Sequence, residues 1–111
     1  MEVFFHSTKL QKLCNSEKDM LRDLGKKRAE KLKTRLTELR AADNLAQIPS
    51  VPPPRCHALS GDRQGQLTVD LDHPYRLVFI PADNPVPVKP DGGLDRTNVT
   101  AVEIVGIEDP H

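Results

Sequence analysis

Four polar features of this sequence stand where they could do chemistry: His57 within RCHALS, Arg63 in the turn SGDRQG, Arg76 inside the apolar run YRLVFIPA, and the closing pair Asp109 and His111. Imidazole and carboxylate groups can move protons, while a guanidinium stays charged and presents a fork that fits a phosphate. Arg76 is the most informative of them, because a guanidinium in a central strand is costly unless it is paired or lines a cleft. Two uses fit it: an ion pair with Asp70 or Asp72 across a hairpin, or a fixed fork aimed at phosphate. His57 taken alone is more often an ordinary strand histidine. The apolar run VEIVGI leads almost directly to Asp109 and His111, and the expectation is that this strand delivers both into a cleft.

Other chemistries lack their residues. Cys56, His57, His73 and His111 do not show zinc-ligand spacing, since neighbours on a strand point to opposite faces, and no metal or cofactor is expected. The sequence has no glycine-rich phosphate loop, no nucleophile elbow and no Ser-His-Asp spacing. Residue types by themselves leave the function open.

With 111 residues and 12.4 kDa the chain fits a single domain spanning residues 1–111. Hydrophobic residues make up 37% and aromatics 4%, without tryptophan, so the core must be built from Leu, Val and Ile. The formal net charge of zero argues against gross attraction to nucleic acid, but it conceals an asymmetry. Residues 1–48 carry eleven Lys/Arg against seven Asp/Glu, and residues 49–111 carry five against nine. The basic half includes Lys27 and Lys31, candidates for contact with RNA or an acidic partner; an ordinary solvated helix face is the alternative. Cys14 and Cys56 make no disulfide framework, and Cys14, on an apolar helical face, suits a buried thiol in a reducing compartment. MEVFFHST does not resemble a signal peptide, and no apolar run approaches the ~18 residues of a membrane span, so a cytoplasmic location is expected.

These residues must be positioned by α and β elements in turn. EVFF reads as a short strand. Leu10, Leu13, Cys14, Met20, Leu21 and Leu24 follow at helical spacing, with a second helix start suggested at Ser16 and a break at Gly25. Ala29, Leu32, Leu36 and Leu39 then form one stripe of a basic helix. IPSVPPP ends it, because proline removes donors and disfavours helix in its predecessor. RCHALS, GQLTVDLD, YRLVFIPA and TAVEIVGIE read as strands, the third central and covered on both faces, with Asp72-His73-Pro74 as a hairpin turn. PADNPVPVKPDGGLDRTN is a long loop of the functional or mobile kind. The fold class is α+β: two antiparallel N-terminal helices packed on a small, twisted, mainly antiparallel sheet.

The order of these pieces carries a resemblance. A strand with H-x-L-x-G, then G-x-x-x-G, an alternating strand, YRLVF, a Pro/Gly loop and a last strand ending D-x-H is similar to the RelE/ParE toxin superfamily. Within it the sequence most resembles the HigB-like killer proteins of plasmid-maintenance toxin–antitoxin modules, over essentially the whole chain. That resemblance implies helices on a twisted sheet with a cleft on the concave side, and a metal-independent, ribosome-dependent endoribonuclease that cuts mRNA. It implies a cognate helix-turn-helix (HigA-like) antitoxin, with the ribosome and mRNA as further partners, and it is compatible with a homo-oligomer. By the same resemblance His57 acts as general base or acid, Arg76 holds the scissile phosphate, and Asp109 and His111 complete proton transfer or bind the base. Arg63 and Ser60 fall on its RNA-binding positions.

Three positions depart from the family pattern. Ser60 stands where the family has a lysine, Leu67 where an aromatic is frequent, and Pro110 where a tyrosine would offer a stacking face. Two alternatives therefore stand beside the nuclease: a non-catalytic member that binds its antitoxin as a regulator, and a ParE-like gyrase poison.

Overall fold

Serine side chains decide where the first helices begin. In the computed structural model, which describes residues 1–109, the Ser7 hydroxyl accepts from the Leu10 amide at 3.1 Å and starts α1 (Thr8–Asn15). The Ser16 hydroxyl accepts from the Asp19 amide at 3.2 Å and starts α2 (Glu17–Leu24). Each bond satisfies an amide that the first helical turn leaves without a partner. The stretch that sequence spacing treats as one interrupted helix is thus two helices of eight residues. Gly25, at φ +79°, turns the chain into α3 (Lys26–Ala41), a conformation that costs a residue without Cβ little.

Among the described residues the strands are β1 (Glu2–Phe5), β2 (His57–Ala58), β3 (Leu67–Asp70), β4 (Arg76–Pro81) and β5 (Ala101–Glu108). They form one sheet in the order β1-β5-β4-β3-β2, in which β1 runs parallel to β5 and the other pairs are antiparallel. The α+β class and the mainly antiparallel sheet follow the expectation. β4 is central as its apolar run requires, and Leu77, Val78 and Phe79 are fully buried. No described helix is long and apolar enough to cross a membrane.

The helices cover one face of the sheet. Leu32, Leu36 and Leu39 of α3, with Cys14 and Met20, share a core with Leu67, Val69, Leu77, Phe79, Val102 and Ile104. Each fully buried aliphatic chain of this kind contributes about 1.5–3 kcal/mol through removal from water. Arg35 of α3 is 3% exposed and acts as a bolt. Its Nε donates to the Asp70 carbonyl at 2.7 Å, its Nη2 to the Pro53 carbonyl at 3.2 Å, and its Nη1 to Glu38 at 2.8 Å. The proline-rich connector is thereby tied to both the helix and β3. Nearby, Arg28 forms a two-bond ion pair with Asp72 and lies 3.4 Å from the centroid of the Tyr75 ring.

The loop after β4 is fastened by its own side chains. The Asp83 carboxylate accepts from the Thr100 amide and hydroxyl and from the Ala101 amide. Burial pushes this carboxyl up, but those three donors outweigh it and hold it below the usual range. A bridge between Val88 and Leu94 closes the loop's tip.

Candidate functional site

Strand register defines a second, polar face. Residues paired across a sheet share a face, and neighbours along a strand alternate. Since Leu67, Val69, Leu77 and Phe79 face the helices, Thr68, Asp70, Arg76 and Val78 face away from them. Register extends this face in two rows. One row joins His57, Thr68, Val78 and Gly106; the next joins Asp70, Arg76 and Glu108.

Glu108 reaches this row through a bulge. Val78 pairs with Gly106, but Phe79 pairs with Ile104, which leaves Val105 as an extra residue on β5. Strict alternation from the buried Val102 and Ile104 would turn Glu108 toward the helices. The inserted residue reverses the phase, so that Ile107 packs on the core and Glu108 lies beside Arg76.

His57 is placed by β2 and by the residue before that strand's lead-in. Arg55, at φ +46°, swings the chain out of the proline-rich connector. The His57 Nδ1 lies 3.3 Å from the Arg55 carbonyl oxygen and 3.4 Å from the Thr68 hydroxyl. A carbonyl only accepts, so this contact is a hydrogen bond only when Nδ1 carries the proton; in the neutral ring Nε2 then keeps the lone pair. Thr68 is fully buried beneath it.

Three arginines accompany the histidine on this face among the described residues. Arg55 meets Asp70 through Nε at 2.7 Å and Nη2 at 2.9 Å. Arg63 meets Glu108 through Nη1 at 2.6 Å and Nη2 at 2.5 Å, while Gln66 accepts from its Nε and Nη2. Arg63 comes from the turn after β2, whereas Glu108 belongs to β5, with β3 and β4 between. At ~4.8 Å per strand the turn leans toward β5 to make that contact. Arg76 differs from both. Its Nε is buried without a hydrogen-bond partner, and among the described residues its guanidinium makes no ion pair. The ion pair with Asp70 or Asp72 that the sequence allowed is absent, since Arg55 takes Asp70 and Arg28 takes Asp72. Hydrogen bonding to Arg63 holds the Glu108 carboxyl below its ordinary range, and the charge of Arg76 adds to this.

Among the described residues the face therefore brings together an imidazole, a guanidinium outside any ion pair and two neutralised cations. Strand spacing sets the α-carbons of His57 and Arg76 about 12 Å apart, a gap their side chains can close around one phosphodiester. Glu108, Arg55 and Thr68 were not candidates in the sequence, and Asp70 entered only as a possible partner for Arg76. Thr68 and Asp70 did carry a signal, their alternation with Leu67, Val69 and Leu71.

The other sequence candidates lie elsewhere. Ser60 is exposed at the start of the leaning turn and makes no capping bond. Lys27 and Lys31 are exposed on α3, and the helices pack on the opposite side of the sheet from His57 and Arg76, so the structure does not gather them into this site. Asp109 is exposed just beyond β5. His111 and Pro110 fall outside the described residues. Cys56 faces the core beside His57; burial pushes its thiol up, and Arg96 partly offsets this. Burial likewise raises the Cys14 thiol to about 11. No group of three or more His, Cys, Asp or Glu among the described residues could hold a metal ion.

No family model matches this sequence, and no curated protein matches it. Among solved structures, a YoeB/ParE toxin from Agrobacterium tumefaciens superposes with a TM-score of 0.58 over 100% of both chains, at 12% sequence identity. The likeness is one of fold: the described residues form an α+β unit of three helices and a five-stranded mixed sheet, compatible with a toxin fold of that kind.

Proposed function

We propose that this chain is the toxin of a type II toxin–antitoxin pair and acts in the cytoplasm as a HigB-like, ribosome-dependent mRNA endonuclease. The observation that supports it most is the helix-free sheet face, shared by His57 and by an Arg76 whose buried Nε has no hydrogen-bond partner among the described residues. The fold shared with a protein described as a YoeB/ParE toxin supports the same assignment.

In this scheme His57 Nε2 takes the proton from the ribose 2′-hydroxyl as it attacks the adjacent phosphate. Arg76 forks onto the phosphate oxygens as charge builds in the five-coordinate transition state. Asp109 and His111 would serve the leaving 5′-oxygen, to which a proton must be delivered. Few groups on this face can bind RNA, so the ribosome supplies the position of the message and an HigA-like antitoxin would occlude the face.

Purified protein should leave free RNA intact at physiological salt and cut message in a reconstituted translation reaction. Efficient cleavage of naked RNA would remove the ribosome from the scheme. An inert protein in the translation reaction would favour the regulator reading that Ser60 and Pro110 suggest. Inhibition of gyrase supercoiling without any cleavage would favour the ParE-like reading.

A further inference from the structure

We propose that Glu108 is a resident anion of the polar face, so that an incoming phosphate gains Arg63 only by displacing this carboxylate. The inference rests on the same face being the one that binds RNA, and it names what limits that binding.

The bidentate Arg63–Glu108 contact, at 2.6 and 2.5 Å, has the geometry in which a guanidinium also grips a phosphodiester. A carboxylate and a phosphate therefore compete for one fork. The pair is open to exchange, because the Arg63 and Glu108 side chains are 34% and 35% exposed, where water and salt weaken ion pairs. Register places Glu108 directly opposite Arg76, so the same carboxylate also offsets the charge of this guanidinium, whose Nε is buried without a hydrogen-bond partner among the described residues. Gln66 keeps Arg63 oriented through two further bonds, so the fork stays aimed at the face when the carboxylate leaves. Asp70 stands opposite Arg76 on the other side and is held by Arg55 in a similar two-bond pair. What sets Glu108 apart is its partner, because Gln66 holds Arg63 in place without the carboxylate. Removing the charge of Glu108 therefore frees a cation that is already oriented.

Removing the negative charge should raise affinity for an anionic chain through Arg63. The test uses a fluorescein-labelled hexauridylate, with binding read by anisotropy across a salt series for wild type, Glu108→Gln, Arg63→Ala and the double variant. Glutamine still accepts from Arg63, so the leaning turn keeps a tether. We expect Glu108→Gln to bind at least fivefold tighter, with a log–log salt slope steeper by about 0.7, the value for one more neutralised phosphate on a single strand. Most of the gain should be lost in the Arg63→Ala background, the remainder coming from Arg76. Equal or weaker binding by a folded Glu108→Gln overturns the inference, as does a gain that Arg63→Ala leaves undiminished. If Glu108→Gln does not fold, the wild type still decides: the carboxyl carbon resonance of Glu108 should shift as hexauridylate saturates the protein, and a stationary resonance overturns the proposal. Message cleavage on ribosomes is scored separately. Cleavage with no gain in Glu108→Gln sinks only this inference, and a gain without cleavage sinks only the proposed function.

Discussion

Arginines on the two sides of this sheet behave in opposite ways. On the helix side, Arg35 is buried and all its bonds go to the scaffold, two of them to backbone carbonyls. Arg28 beside it is held by Asp72 and by the face of Tyr75. On the far side, Arg55 and Arg63 bond to half-exposed carboxylates, and among the described residues Arg76 keeps a buried Nε without a hydrogen-bond partner. The same side chain is a bolt where water is excluded on every side and keeps bonding capacity to spare where one side stays open. Placement rather than residue type separates the two behaviours, because a buried cation is costly unless the protein bonds it fully.

The contrast predicts effects of different kinds. The largest is on activity: Arg76→Met should lower message cleavage on ribosomes by at least ~10²-fold, the scale of a lost transition-state contact. Its unfolding midpoint should stay level or rise, since an unbonded buried Nε is replaced by apolar atoms. A marked drop in the midpoint would make Arg76 another bolt. Arg35→Met should do the reverse. It strands the Asp70 and Pro53 carbonyls and should cost about 3 kcal/mol in urea unfolding, with cleavage per folded molecule unchanged. Lost cleavage in the folded fraction would show that the two sides are not separable. The smallest effect belongs to the solvated helix face. Reversing charge at Lys27 and Lys31 should weaken ribosome association about threefold near ~50 mM salt and leave it unchanged near ~500 mM. A loss independent of salt would mean that these lysines make close contacts that a solvated face does not.

Much of the scaffold was legible because its causes are local. Ser7, Ser16 and Gly25 punctuate the helices through their own side-chain bonds or backbone freedom. Leu67, Val69 and Leu71 alternate into the core as the period of a strand demands, and the unbroken run Leu77–Phe79 found the centre of the sheet. RCHALS was shortened to His57–Ala58, since Arg55 at positive φ and the turn at Gly61 interrupt its pairing. The parallel pairing of β1 with β5 had no local signature, because it joins segments about a hundred residues apart.

The candidate site divides along the same line. The sequence by itself determined that His57 would sit on a strand, that Arg76 would interrupt the central one, and that Arg63 would occupy a turn, since strand period and turn residues act over a few neighbours. Tertiary structure alone decided that Asp70 would go to Arg55, that the turn would lean across two strands, and that Arg63 would end on Glu108. It also decided which way Glu108 faces. That choice hangs on one extra residue at Val105, and a bulge is set by how two strands pair, which neither strand encodes alone.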